Sequence, residues 1–232
     1  IIKKENIISL LKSLKDLIHG LKSFKNSYWK SYETEDSYSN EGQSAKEKIL
    51  TKYTNNFKIK NIIDLGCNNG KFSEIALKNG ANFAVGTDND FGSLEKACLL
   101  AEKKNLNFLP LYMDLTEPTS NIGFDNLERD SFFKRSNIFD GLIAFALLHH
   151  ICLSKNVPLK KAILYILSLA KSGIIEFVPI EDPQCANLLF NKEVKHEDYN
   201  HKNFELILKN NTKTFKKFSL PNSHRTLYVY EK

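Results

Sequence analysis

The chain has 232 residues, 42% of them hydrophobic and 26% charged. That length and balance suit one substantial globular domain and leave little room for two. Lys and Arg number 33 against 27 Asp and Glu, a formal charge of +6, with the basic residues spread from end to end. Such a spread reads as a solvated surface and argues against a nucleic-acid groove. The four cysteines, Cys67, Cys98, Cys152 and Cys185, stand far apart without a Cys-x-x-Cys pair. A thiolate zinc site and a disulfide framework are therefore disfavoured, and reduced thiols of a cytoplasmic protein are expected. No apolar run reaches membrane-spanning length, because lysines and acids interrupt each candidate. The absence of an initial Met suggests a trimmed chain or a piece of a larger polypeptide.

In chain order, the first pattern is "IIKKENIISLLKSLKDLIHGL", where Ile7, Ile8, Leu10, Leu11, Leu14, Leu17, Ile18 and Leu21 recur at helical spacing. An amphipathic helix ending near Gly20 is predicted, its apolar face packed on the domain in preference to a second subunit or a membrane surface. "NSYWKSYETEDSYSN" follows, with the single Trp, Trp29, and then a short helix from Gln43 to about Lys52. From Lys58 the character changes. "KIKNIIDLG", "NFAVGTD", "LNFLPLYMD", "SNIFDGLIAFAL" and "GIIEFVP" are strand-like. "GKFSEIALKNG", "GSLEKACLLAEKKN" and "PLKKAILYILSLAKSG" are helical. This alternation predicts βαβ units in a parallel sheet covered on both faces. "TKTFKKFSL" and "RTLYVYEK", joined by "PNSH", predict a terminal antiparallel hairpin.

The turn "DLGCNNG" links the first strand to its helix, at the carboxyl end of a strand, where open α/β sheets bind ligands. Gly66 and Gly70 permit close backbone approach. Asn68 stands where many such turns have glycine, but Asn tolerates left-handed backbone, and its amide could also meet a ligand. Asp64 precedes the turn and Asp88 ends the second strand, where a carboxylate accepts hydrogen bonds from both ribose hydroxyls. A dinucleotide site wants three spaced glycines and a helix N-terminus facing a pyrophosphate. Here the pattern is Asp-x-Gly-x-x-x-Gly, and the acid beside the loop would repel a phosphate. It suits a nucleoside with a cationic end and no phosphates, a description that S-adenosyl-L-methionine meets.

At these residues the sequence resembles the class I S-adenosylmethionine-dependent methyltransferases. "DLGCNNG", with Asp64, Gly66, Cys67, Asn68 and Gly70, is similar to their first motif. Asp88 in "VGTDND", beside Asn89, matches the ribose-binding acid. "YMDL" resembles the motif whose acid, here Asp114, contacts the adenine amine, with Leu115 beside it. "FDGLIAFALLHH" resembles the fourth motif, in which residues from Ala144 to Leu147 border the cofactor. The resemblance implies a Rossmann-like α/β fold whose mostly parallel seven-stranded sheet ends in an antiparallel pair. It covers residues 46–232, and residues 1–45 form an N-terminal helical extension. A narrower likeness, in "NNGKFS", "MDLTEP", "ALLHH", "NVPL" and "EFVPIEDPQ", is to bacterial methyltransferases related to nodulation host-specificity proteins.

Methyl transfer is an in-line displacement, so the protein aligns donor and acceptor and removes a proton where the acceptor has one. His149 and His150 follow the fourth strand, where an acceptor would sit. A neutral imidazole there is a candidate base, with His150 preferred; the alternative is a histidine that only packs the next segment. Glu176 is a candidate to orient substrate, or with Asp182 and the histidines to bind a cation, but no His-x-His or His-x-x-x-His spacing supports a metal. Trp29, Tyr32 and Tyr38 are candidates for a lid over the cofactor, Trp29 and Tyr32 also as substrate-binding residues, with Lys46 near the cofactor carboxylate, or else they pack the extension. The expected activity is methylation of a small-molecule or glycan acceptor, at oxygen. The alternatives are an RNA methyltransferase and a non-catalytic module of a larger protein.

Overall fold

The structure, a computed structural model, describes residues 3–21, 40–189 and 196–232. Its centre is a seven-stranded sheet of order β3-β2-β1-β4-β5-β7-β6. The strands are β1 (Asn61–Leu65), β2 (Phe83–Asp88), β3 (Phe108–Tyr112), β4 (Gly141–Ala144), β5 (Ser172–Phe177), β6 (Thr214–Ser219) and β7 (Thr226–Glu231). The first five run parallel, whereas β7 pairs antiparallel with both β5 and β6. The predicted hairpin therefore inserts its second strand between β5 and its first.

The helices are α1 (Lys4–His19), α2 (Asn40–Asn56), α3 (Lys71–Lys78), α4 (Phe91–Lys103), α5 (Phe132–Arg135), α6 (Leu159–Ser168), α7 (Pro183–Leu189) and α8 (His201–Asn211). Alternation along the strands sends successive side chains to opposite faces. Ile62 joins Leu50 of α2, Ala76 of α3 and Ala97 of α4 in one core. Ile63 and Leu65 join Ile163 of α6 and Phe204 and Leu208 of α8 in the other. The result is three layers, with β4 and β5 buried along their whole length. Near-continuous apolar runs were the sequence signature of that double cover.

Two expectations need correction. The apolar side chains of α1 are all exposed instead of packed on the domain. Both faces of the central strands β4 and β5 are already covered by other elements. The helix predicted from Gln43 to about Lys52 begins at Asn40 and runs to Asn56. Helices α7 and α8 had no counterpart in the sequence reading. The aromatic segment with Trp29, Tyr32 and Tyr38 lies outside the described residues.

Register fixes where the site forms. Leu65 pairs with Thr87 and with Ala144, and Asp88 pairs with Tyr112, so the carboxyl ends of β1 to β4 share one edge. Strand order reverses between β1 and β4, and a crevice opens there.

Candidate active site

Beyond β1 the chain turns through Gly66 at φ 71°, Asn68 at φ 49° and Gly70 at φ 82°. Three left-handed residues in five fold the backbone over the end of β2, where the N–H groups of Gly66 and Cys67 both donate to the Thr87 carbonyl, at 2.8 and 3.0 Å. Gly70 is also needed for space, because a Cβ there would lie 2.5 Å from the Phe108 ring. Asn68 has the left-handed backbone that Asn tolerates, and its N–H donates to Asp88 Oδ2 at 2.9 Å. The loop and the acid at the end of β2 therefore hold each other.

Together these ends line a cavity of about 500 Å³, within the usual range for a small-molecule or cofactor site. Asp64, Gly66, Cys67 and Asn68 come from the first turn, Asp88 and Asn89 from the end of β2, and Asp114 and Leu115 from the end of β3. Phe145, Ala146, Leu147 and His150 form the wall beyond β4, and Gln43 and Lys46 of α2 close the side. Gly70 and Ala144 do not line it. Ala144 lies within β4 and is fully buried, one residue short of the wall.

The acids differ in state. Asp64 is buried and accepts a 2.7 Å hydrogen bond from the Ser73 hydroxyl. Burial raises its pKa to about 7, with the Asp88 charge adding to the rise and the Ser73 bond opposing it. Burial also raises Asp88, against backbone hydrogen bonds from Asp90 and Asn68. Two N–H donors occupy part of that carboxylate and leave lone pairs facing the cavity. For Asp114, partial burial is outweighed by hydrogen bonds from the Thr116 hydroxyl and N–H and from Lys155, which hold its pKa below the ordinary value. The Cys67 side chain is buried against Gly86, and burial pushes its thiol upward.

Glu176 does not reach the cavity. It is fully buried in β5, where Oε2 accepts both Lys46 Nζ at 2.6 Å and the Ala146 N–H at 2.8 Å. Arg225 stands 3.9 Å from its other oxygen and makes a bidentate pair with Asp182, at 2.7 and 2.9 Å. This four-charge group fixes the cavity wall, because Ala146 is held at φ 46°, a strained backbone for a residue with a Cβ. Burial lowers the Lys46 pKa to about 8, against the opposing pull of Glu176. The ammonium also lies over the rings of Phe72 and Phe145, at 5.9 and 5.2 Å.

The two histidines part company. His150 faces the cavity at the start of a π-turn, His150–Ser154, closed by the Lys155 N–H on the His150 carbonyl. His149 is buried off the cavity with its ring 4.2 Å from that of His150, and neither of its nitrogens has a hydrogen-bond partner among the described residues. Burial, then the Arg225 charge, lowers the His150 pKa to about 4, and His149 is held lower than ordinary by burial and by the His150 charge. Both are neutral at physiological pH. No group of three or more His, Cys, Asp or Glu able to hold a metal occurs among the described residues.

No family model matches the chain. It is 36% identical over 231 residues to the nodulation protein NoeA of Rhizobium meliloti (strain 1021), a match covering 99% of this chain and 48% of that protein. The chain thus spans about half the length of this curated relative. Among solved structures, WbdD superposes with a TM-score of 0.59 at 15% identity, over 94% of this chain and 46% of its own. The methyltransferase domain of bacterial CtHen1 does so at 0.57 and 14%, over 82% of this chain and 100% of its own. Magnesium protoporphyrin IX methyltransferase (ChlM) from Synechocystis PCC 6803, with bound SAH, does so at 0.55 and 16%, over 82% and 84%. The strand order, the glycine-hinged turn and these superpositions agree: the chain has the fold of class I S-adenosylmethionine-dependent methyltransferase domains.

Proposed function

We propose that the chain transfers a methyl group from S-adenosylmethionine to a small-molecule or glycan acceptor, at oxygen. The observation that carries this is the set of three acids, Asp64, Asp88 and Asp114, brought from the ends of three successive strands into one cavity. Acids along the floor suit an adenosyl group with a cationic end, and they disfavour a phosphate-bearing nucleotide. Asp88 would accept the ribose hydroxyls, Asp114 the adenine amine, and Asp64 would face the cationic end. Lys46, which lines the cavity while paired with Glu176, would be the cation nearest a cofactor carboxylate. The cofactor would supply an activated methyl on sulfonium, so the remaining task of the chain is alignment and proton removal.

His150 is the candidate base. It is neutral, lines the cavity and follows β4. The His149 ring lies 4.2 Å from it, tilted by 41°. NoeA is a nodulation protein and WbdD a bifunctional kinase-methyltransferase; neither name specifies the acceptor of this chain. The test is a labelled-donor assay over hydroxylated small molecules and glycans, with His150→Ala alongside the native chain. We expect the variant to retain cofactor affinity while turnover falls by about 10²-fold or more. Turnover unchanged in His150→Ala would remove the base assignment. Methyl transfer to RNA alone, weakening steeply with salt, would replace the acceptor class.

A further inference from the structure

Helix α1 bears an apolar face that nothing among the described residues covers. Ile7, Ile8, Leu10, Leu11, Leu14, Leu17 and Ile18 are between 42% and 65% exposed. At 3.6 residues per turn these seven fall within an arc of roughly 180°. Seen down the axis, Lys4 and Lys15 lie between Leu11 and Ile8 toward one margin of that arc, with Lys12 beyond Ile8. Asn6 and Ser13 form the other margin. Glu5 and Asp16 occupy the pole opposite the middle of the stripe. No ion pair links the α1 lysines to an acid among the described residues. The helix is 16 residues long, and no helix among the described residues is long and apolar enough to cross a membrane.

We propose that α1 lies in the surface of an anionic lipid bilayer, with its leucines among the acyl chains and Lys4 and Lys15 at headgroup level. The charge arrangement selects this occupant. Lysines at the waterline meet lipid phosphates while their stems extend along the apolar layer, and both acids face water, away from the negative surface. A second copy of the helix fits poorly. Neither margin of the stripe carries an acid, so pairing sets lysine against lysine or against Asn and Ser, without the opposite charges that orient coiled-coil partners. About two heptads is also a short length for a self-associating helix. This surface is independent of the cavity, so it stands or falls apart from the methyl-transfer proposal.

The experiment is vesicle co-sedimentation, with phosphatidylcholine alone and with roughly one-third phosphatidylglycerol. The native chain should bind the anionic vesicles about tenfold or more tightly than the neutral ones, and the difference should shrink as salt rises. Leu14→Glu should lower that binding about tenfold or more, and Lys4→Glu with Lys15→Glu should abolish the preference for anionic lipid. Because these side chains are exposed, the variants should melt with the native chain, which separates lost binding from lost fold. Absence of binding to anionic vesicles, equal binding to both kinds, or binding indifferent to Leu14→Glu would overturn the proposal. So would a lipid-free oligomer that Leu14→Glu dissociates, which would assign the face to a second copy.

Discussion

Replacing Asp64 with Asn should stabilise the fold while it damages the site. The carboxyl is buried, and burial moves its pKa from 3.8 to about 7. An acid with a higher pKa in the folded chain than in the unfolded chain favours folding at low pH. That contribution is complete below about pH 4 and is lost as pH rises through 7. Above pH 7 the folded chain carries the full penalty of a buried carboxylate, roughly 4 kcal/mol at most. Asn is close in shape and can still accept the Ser73 hydroxyl through its amide oxygen, but it has no charge to desolvate. The advantage of Asp64→Asn should therefore grow by roughly 2–3 kcal/mol between pH 5 and pH 8. For a chain of this size that is a rise in Tm offset of roughly 4–12 °C. Thermal melts of both proteins at the two pH values measure it directly. A variant that melts below the native chain at pH 8, or an offset equal at both pH values, would refute the reasoning. The same ionisation should strengthen binding of a cationic ligand by about tenfold from pH 6 to pH 8 in the native chain, and not in the variant.

Two other substitutions probe the frame around the cavity. Glu176→Ala leaves Lys46 and Arg225 buried without their shared acid and frees the Ala146 N–H. It should destabilise by about 3–5 kcal/mol, measured by urea denaturation, and adding Lys46→Met should recover part of the loss because the two sites are coupled. Gly70→Ala places a Cβ 2.5 Å from Phe108 at a left-handed position. It should lower stability by about 1–3 kcal/mol and loosen the turn, visible as a lower urea midpoint and weaker cofactor binding.

What was legible in the sequence were the features written in neighbouring residues. "DLGCNNG" specified strand, turn and helix within one short stretch, and Asn68 kept its place in a left-handed turn because its side chain tolerates that backbone. Apolar runs located all seven strands of the sheet. The buried charges were not legible in the same way. Lys46 and Glu176 are 130 residues apart, and Asp182 and Arg225 are 43 apart. Each alone looks like an ordinary surface charge, and only the parallel sheet and its antiparallel return bring them together. Glu176 thus read as a substrate ligand although it holds Ala146 from behind the wall. The two histidines were adjacent in sequence, yet only the π-turn after β4 decides that His150 faces the cavity. The fate of α1 was invisible because amphipathic spacing reports an apolar face without naming what covers it.

The central claim, that the acid-lined cavity holds an adenosyl cation, is tested most directly by calorimetry of the native chain. Titrations with S-adenosylmethionine, its demethylated product and NAD should be compared. We expect both adenosyl compounds to bind at one site, Asp88→Ala to weaken both by about tenfold or more, and NAD to give no heat of binding. Binding of NAD with neither adenosyl compound detected would contradict the account.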